Sequence, residues 1–173
     1  MSVIVVMGVS GSGKSTLAKS LARELGGDFL EGDEFHPPEN VEHMRAGKPL
    51  DDAMRRPWLI ALGTRAAEIR AAGGTAVVSC SALKRSYRDI LREVAAPVSF
   101  LFLDVPEALL MRRMTERKNH YMPPSLLASQ LATLEPPTAA EPDCARLDGA
   151  LGRADVFAAA RAALSAGQQK GGA

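Results

Sequence analysis

The feature that most constrains the fold is a glycine-rich segment close to the start of the chain. Residues 8–15 read Gly-Val-Ser-Gly-Ser-Gly-Lys-Ser, with the spacing G-x-x-x-x-G-K-S, and directly follow a β-branched run at 3–7. Such a run is typical of a strand buried on both faces in a parallel sheet. Helical spacing follows over 15–25 and ends at two glycines. The pattern predicts a phosphate-binding loop, the phosphate loop below; the alternative is a plain glycine-rich turn.

Each residue type in the phosphate loop has a physical task. Glycines let the backbone turn with its amide hydrogens pointing inward, which forms a nest for an anion. The helix that begins near Ser15 adds its positive dipole end. Lys14 is expected to reach the β- and γ-phosphates, and the Ser15 hydroxyl to ligate Mg²⁺. We therefore predict that ATP and Mg²⁺ bind here, with contacts from Gly8, Ser10, Gly11, Ser12, Gly13, Lys14 and Ser15.

Strand and helix patterns alternate along the rest of the chain. Short strands are predicted at about 29–30, 75–79, 98–103 and 145–147, with helices at 39–46, 58–72, 84–94, 106–116, 125–134 and 154–164. Right-handed crossovers then predict a three-layer α/β/α P-loop kinase fold, with a parallel sheet of about five strands and helices on both faces. We expect one domain over 1–165 and a disordered tail over 166–173.

Composition excludes several classes of protein. The net charge of +1 argues against a nucleic-acid coat, and no apolar stretch approaches the roughly 18 residues of a membrane span. Cys80 and Cys144 lie far apart without CxxC spacing, so they are expected to be buried free thiols. These features predict a cytoplasmic protein without a nucleic-acid or membrane partner.

Polar residues after the second strand predict a site for a phosphoryl acceptor. Glu31-Gly32-Asp33 ends that strand, and an excursion over about 34–57, rich in proline, follows it. Asp33 is the candidate catalytic carboxylate, able to accept a proton from a substrate hydroxyl; the alternative is a solvated acidic loop. For Glu31, both a functional carboxylate and a solvated side chain stay open. His36 is close enough in sequence to bind the acceptor, although a structural histidine has the same appearance.

Three groups of cations extend this prediction. Arg55 and Arg56 stand at an expected helix start, where cations are disfavoured, so one of them is expected to anchor a substrate carboxylate. Lys84 and Arg88 are four residues apart and share a helical face, which is either a substrate site or a solvated surface. A proline-bounded insert over about 117–124 resembles a closing lid. Its expected cations are the catalytic Arg117, Lys118 and His120. Arg113, four residues before Arg117, is expected to contact the nucleotide.

The same residues resemble a known family. Residues 29–33 with His36-Pro37 and Pro57-Trp58, the segment 80–84, and the segment 130–136 are similar to those of the thermoresistant gluconokinases. The resemblance implies a nucleoside-monophosphate-kinase-like fold, a homodimer, and phosphorylation of the 6-hydroxyl of D-gluconate with magnesium ATP. It adds Thr16 to the nucleotide site. It also implies that the residues facing gluconate are Asp33, His36, Arg55, Lys84, Arg88 and His120.

One position departs from this family, and other functions stay open. Met54 stands where the family often has an acidic residue, which puts one local polar contact in doubt. Shikimate kinases share the loop, the carboxylate and the lid, but a glycine triplet is expected where residues 79–81 are Ser-Cys-Ser. A nucleotide kinase is a further alternative. A nucleotide-dependent switch or binding module is the alternative from a different class of protein.

Overall fold

A computed structural model describes residues 1–115 and 125–170. Within these ranges the chain forms five strands and seven α-helices. In chain order they are β1 (Val3–Met7), α1 (Lys14–Leu25), β2 (Asp28–Glu31), a short 3₁₀ helix (Gly32–Phe35), α2 (Pro38–Arg45), α3 (Asp52–Ala71), β3 (Ala76–Ser79), α4 (Arg85–Ala95), β4 (Val98–Asp104), α5 (Glu107–Thr115), α6 (Ser125–Thr133), β5 (Cys144–Asp148) and α7 (Arg153–Lys170).

The strands form one parallel sheet in the order β2-β3-β1-β4-β5. β1 is the central strand, and its Val5 pairs with Val78 on one side and Phe100 on the other. The predicted α/β fold with a five-stranded parallel sheet is therefore confirmed. Because all five strands run in the same direction, the phosphate loop and the segments after β2, β3, β4 and β5 meet at one edge.

The continuous apolar run of β1 is explained by helices on both faces of the sheet. Val3, Val5 and Met7 belong to a buried cluster with residues of α3 and α4, whereas Ile4 and Val6 pack with α1 and α7. Each face of the strand therefore removes apolar surface from water, with a gain of about 1.5–3 kcal/mol per fully buried aliphatic side chain. This double burial fixes the start of the phosphate loop on the central strand.

Two helix boundaries differ from the predictions. α3 begins at Asp52 rather than at 58, since Asp51 caps it by accepting a 2.8 Å hydrogen bond from Met54 N. Pro57, expected to precede the helix, lies inside it. α7 continues through Lys170, so residues 166–170 are helical rather than disordered, and 171–173 lie outside the described residues. Alanine, glutamine and lysine favour the helix there although apolar spacing has ended.

The cysteines and the helices give two further results. Cys80 is free and buried, and Cys144 is free and half-buried. Along 1–115 and 125–170, the structure has no helix both long enough and apolar enough to cross a bilayer. The predicted insert at 117–124, with Arg117, Lys118 and His120, lies outside the described residues.

Candidate active site

The phosphate loop has the backbone geometry of an anion nest. Gly8, Gly11 and Gly13 have φ angles of 143°, 82° and 100°, which side chains with a Cβ rarely adopt. A Cβ on Gly8 would also lie 2.9 Å from the carbonyl oxygen of Leu103 on the neighbouring strand. α1 starts directly after Gly13, which has no side chain that could cap the first turn. The amide hydrogens and the dipole at this helix start therefore favour a bound anion.

A cavity of about 630 Å³ opens beside this loop. Arg113 lines this cavity and donates hydrogen bonds to the carbonyl oxygens of Ser12 (3.4 Å) and Gly149 (3.0 Å). Gly149 is required there because a Cβ would approach Val105 Cγ2 to 2.4 Å. The Ser12 hydroxyl is buried without a hydrogen-bond partner in the described part of the chain. Further lining residues are Gly11, Gly13, Thr16, Leu151, Arg153 and Phe157.

A second pocket, the acceptor pocket, adjoins the phosphate loop on its other side. Among its lining residues are Ser10, Lys14, Asp33, His36, Leu50, Arg55, Trp58, Ser81 and Gln130. Lys14 belongs to both the phosphate loop and this pocket, and its Nζ donates a 3.0 Å hydrogen bond to Val9 O. The structure therefore brings the predicted site residues Lys14, Asp33, His36 and Arg55 together from three segments of the chain: the start of α1, the 3₁₀ helix with its C-cap, and α3.

Asp33 is positioned by a tight approach of two strand ends. It lies in the 3₁₀ helix that follows β2, where a Cβ on Gly32 would come within 2.3 Å of Ser79 O. Only glycine permits this packing. The indole N–H of Trp58 donates a 2.7 Å hydrogen bond to Gly32 O, which fixes the helix from the other side. Asp33 itself is exposed on the pocket wall.

Glu31 has a different environment from Asp33. Its carboxylate accepts a hydrogen bond from the hydroxyl of Ser79, on the neighbouring strand β3. This contact ties the ends of β2 and β3 together. The Glu31 side chain is therefore hydrogen-bonded within the protein rather than simply solvated, and whether it also has a catalytic role stays open.

Arg55 is a buried cation on the wall of the acceptor pocket. Its side chain is in α3, the residue is 9% exposed, and Nε donates a 3.1 Å hydrogen bond to Leu50 O. The guanidinium lies 5.4 Å from the ring centroid of Tyr87. No carboxylate of the described residues forms an ion pair with it. Since a buried charge without an ion pair is costly, this arrangement favours an anionic ligand.

His36 is held as a neutral imidazole beside Arg55. Its ring stacks on Trp58 with centroids 4.0 Å apart and planes 20° from parallel. Burial, followed by the charge of Arg55, lowers the pKa of His36 to about 4. Its Nδ1 is buried and has no hydrogen-bond partner in the described residues. A neutral imidazole with an unused nitrogen is suited to a substrate hydroxyl.

The lowered pKa of His36 makes a prediction about stability. Between pH 4 and 6.5 the unfolded chain binds a proton at this histidine that the folded chain does not, so the free energy of unfolding rises with pH. His36→Asn is expected to reduce that rise. Urea unfolding at about pH 4.5 and about pH 7.5 measures it, and equal pH dependence in the two proteins would contradict a neutral His36.

Lys84 lies next to this cluster but is already paired. It is the residue directly before α4, and its Nζ is 2.9 Å from Asp52 Oδ1, which also accepts a hydrogen bond from the hydroxyl of Tyr87. The Lys84 bond, followed by that of Tyr87, holds the pKa of Asp52 below its usual range. Lys84 Nζ and the guanidinium of Arg55 both lie near the ring of Tyr87, at 5.6 and 5.4 Å from its centroid. Its contact with substrate stays a prediction.

The prediction that Arg88 binds substrate is wrong. Its guanidinium is fully buried, with Nε and Nη2 donating to Glu141 at 2.7 and 2.6 Å. Nη1 donates to Ala82 O and Leu83 O. α4 begins at Arg85, so Lys84 lies before the helix and does not share a face with Arg88. The ion pair instead joins α4 to the segment before β5.

Glu141→Gln is expected to lower the free energy of unfolding by about 3–5 kcal/mol, because it leaves Arg88 buried with less compensating charge. Hydrogen bonds from Arg88, followed by those of Arg92, lower the pKa of Glu141 to about 2 from its ordinary value of 4.5. Its stabilisation is therefore complete above that ordinary pKa and is lost as the pH falls toward 2. Urea denaturation at neutral pH is the measurement.

The exposed pair Arg65–Glu68 provides the matched control for this prediction. Glu68→Gln is expected to change the free energy of unfolding by less than about 1 kcal/mol. A similar small effect for Glu141→Gln would show that the buried pair does not contribute as described.

Comparison with known proteins decides the family. A family model described as an AAA domain matches residues 3–137. The gluconokinase of Gluconobacter oxydans strain 621H is 52% identical over 139 residues, which cover 80% of this chain and 78% of that protein. The chain belongs to the gluconokinase family.

Two solved structures agree with this assignment. A gluconokinase from Sinorhizobium meliloti 1021 superposes with a TM-score of 0.84 at 49% identity, covering 95% of this chain and 91% of that one. An unliganded sugar kinase from Janibacter sp. HTCC2649 has a TM-score of 0.91 at 45% identity, covering 95% of each chain. The resemblance to gluconokinases, the P-loop kinase fold and the membership of a kinase family are therefore confirmed.

Met54, the position that departs from the gluconokinase pattern, has an apolar environment in the structure. The side chain packs against Met44 and Leu50 in a small apolar cluster. The polar contact in this region is made by the Met54 backbone, whose carbonyl oxygen accepts a 2.9 Å hydrogen bond from Asn40 Nδ2. Met44 and Leu50 of this cluster also line the acceptor pocket.

Three residues near the site make contacts that are not predicted from the sequence. Asp51 caps α3, and the dipeptide Asp51-Asp52 before helical spacing is the signal that could have shown it. Trp58 has the pattern of a core or wall residue, although it contacts both His36 and Gly32. Gln130, part of a segment similar to the family, is hydrogen-bonded to Ser10 of the phosphate loop.

Proposed function

We propose that this chain transfers the γ-phosphoryl group of ATP to the 6-hydroxyl of D-gluconate, giving 6-phospho-D-gluconate and ADP. The observation that carries the proposal is Arg55, a buried cation without a carboxylate partner in the described residues, in a pocket that also contains Asp33 and Lys14. Gluconate is an anionic polyol. Its carboxylate suits Arg55, and its hydroxyls suit Asp33 and the neutral His36.

Asp33 and the phosphate loop with Lys14 have different tasks in the proposed reaction. Asp33 accepts the proton of the attacking hydroxyl and orients its oxygen, while Lys14 and the inward amides of the phosphate loop stabilise charge on the phosphoryl oxygens. Most of the lowering of the barrier comes from positioning and from this charge stabilisation. Arg113 holds the loop against the segment after β5 and so shapes the nucleotide side.

The residues of the nucleotide side fit Mg²⁺ bound with ATP. Mg²⁺ prefers oxygen ligands, keeps several waters and takes few ligands from the protein when phosphates are present. The Ser15 hydroxyl at the first turn of α1 supplies one such oxygen, and Ser10, Ser12 and Thr16 lie around the same nest. The bound ion would add positive charge that neutralises the phosphate oxygens.

Several parts of the proposal rest on the family resemblance. Arg117 as the catalytic cation of a lid and His120 as a gluconate contact fall on residues outside those described. Lys84 as a substrate contact, the homodimer and the cytoplasmic location are proposals of the same kind. The exclusion of nucleic acid and membrane partners also stays a prediction.

A coupled assay of ADP release tests the proposed function. Purified protein with magnesium ATP is supplied in turn with gluconate, shikimate, other sugar acids and nucleoside monophosphates. We expect gluconate to stimulate ADP release strongly and the others to have little effect. Preference for shikimate or for a nucleoside monophosphate would replace the proposed acceptor. Equal ADP release with and without every acceptor would indicate a switch or binding module.

A further inference from the structure

Helix α6 is firmly attached to the acceptor side of the protein. Leu127 is fully buried in the core shared with α3 and α4. Just beyond the helix, Glu135 N donates a 2.9 Å hydrogen bond to Leu83 O, and the Glu135 carboxylate accepts one of 2.8 Å from Arg85 N. These contacts join α6 to the segment after β3. A side chain projecting from α6 therefore has a defined position relative to the acceptor pocket.

Gln130 projects from this helix to the phosphate loop. The backbone N–H of Ser10 donates a 2.7 Å hydrogen bond to Gln130 Oε1, and Gln130 Nε2 is 3.3 Å from Ser10 Oγ. Ser10 is the third residue of the loop. Both residues line the acceptor pocket together with Lys14 and Asp33. The amide thus contacts the loop that receives the phosphates and lines the same pocket as the carboxylate proposed to receive the acceptor proton.

We propose that Gln130 is a positioning residue for phosphoryl transfer, whose neutral amide holds the Ser10 edge of the phosphate loop against the acceptor pocket. This inference rests on the proposed function. Reacting atoms must approach to about 3–3.5 Å, and a displacement of about 1 Å can lower the rate about 100-fold. A bridge from a fixed helix to the loop limits such displacement. Neutrality matters because the bridge contacts the phosphate loop and lines the pocket of Lys14 and Asp33, where the transferred group is anionic.

Two substitutions separate positioning from simple structural support. Gln130→Met keeps the length of the side chain but removes both hydrogen bonds to Ser10. Gln130→Glu keeps an oxygen that accepts from Ser10 N and lets the Ser10 hydroxyl act as donor, but adds negative charge. We expect Gln130→Met to lower kcat by about 10- to 100-fold with the KM for ATP changed by less than about twofold. We expect Gln130→Glu to be at least as slow, because its charge repels the phosphoryl group.

Thr133→Ala is the matched control on the same helix. Its hydroxyl donates only a 2.8 Å hydrogen bond to Ser129 O within α6, so kcat and the melting temperature should stay close to the wild-type values. All four proteins are compared by steady-state kinetics with ATP and gluconate and by thermal melting. The wild-type rate with gluconate tests the proposed function, whereas the ratio of variant to wild-type kcat tests Gln130.

The outcomes of this comparison are distinct. Low kcat in both Gln130 variants, with melting temperatures close to that of Thr133→Ala, supports the inference. Wild-type kcat in Gln130→Met overturns it. Wild-type kcat in Gln130→Glu also overturns it. That variant keeps the oxygen that accepts from Ser10 N, so a normal rate would show a purely structural contact that does not need the neutral amide. If Gln130→Met does not melt cooperatively, the kcat of Gln130→Glu decides between the same two conclusions.

Discussion

Asp33→Asn is expected to lower kcat for gluconate phosphorylation by about 10²–10⁴-fold while changing ATP binding little. Asparagine keeps the shape of the side chain but cannot accept the proton of the attacking hydroxyl. Of the described residues that line the acceptor pocket, Asp33 is the acidic one. Glu31 and Asp52 cannot replace it, because Glu31 is hydrogen-bonded to Ser79 and Asp52 is paired with Lys84. Steady-state kinetics with a separate measurement of ATP affinity checks the prediction.

Glu34 provides the control for Asp33. It is the next residue of the same 3₁₀ helix, is exposed, and is not among the residues that line the acceptor pocket. Glu34→Gln removes the same charge from the same helix and should leave kcat nearly unchanged. Near-normal turnover in Asp33→Asn would remove Asp33 from the catalytic role. Equal losses in both variants would indicate a general electrostatic effect of the helix instead.

Arg55→Met is expected to raise the KM for gluconate by about 10- to 100-fold, with a smaller effect on the KM for ATP. Methionine fills much of the same volume in α3 but offers no donor for a substrate carboxylate. The side chain of Arg55 makes few other polar contacts, of which the bond from Nε to Leu50 O is one. Its loss is therefore expected to affect substrate binding more than folding.

The neighbouring cation Arg56 is the control for Arg55. Arg56 is exposed at the adjacent position of α3, so Arg56→Ala should leave the KM for gluconate nearly unchanged. A second readout comes from His36, whose pKa is lowered in part by Arg55. In Arg55→Met the pKa of His36 should rise, which proton NMR of the imidazole can follow. An unchanged KM for gluconate together with an unchanged pKa of His36 would place Arg55 outside the acceptor site.

The parts of the fold set by local patterns were predictable from the sequence. β1 is predicted at 3–7 and spans Val3–Met7, because a β-branched run of this length before a glycine-rich turn favours a strand buried on both faces. The phosphate loop follows from glycines at fixed spacing between that strand and α1. The sheet edge that carries Asp33 follows in turn, since parallel strands bring their carboxyl ends together.

The contacts that were not predicted depend on residues far apart in the chain. Arg88 and Glu141 are separated by 53 positions, and Ser10 and Gln130 by 120. No periodicity links such pairs. The same four-residue spacing of Lys84 and Arg88 describes a substrate-binding face or an internal ion pair, and only the start of α4 at Arg85 decides between them. For α3, Pro57 predicts a later start than the one that the Asp51 cap produces.

The position of phosphorylation on the product tests the central claim most directly. Phosphorus NMR, recorded with proton coupling during a reaction of gluconate with magnesium ATP, reports which carbon carries the new ester. Phosphate on C6 couples to two protons and gives a triplet, whereas phosphate on any secondary carbon gives a doublet. We predict one new triplet that grows in step with ADP. A doublet, or ADP formed without a new phosphomonoester signal, would contradict the proposed transfer to the 6-hydroxyl.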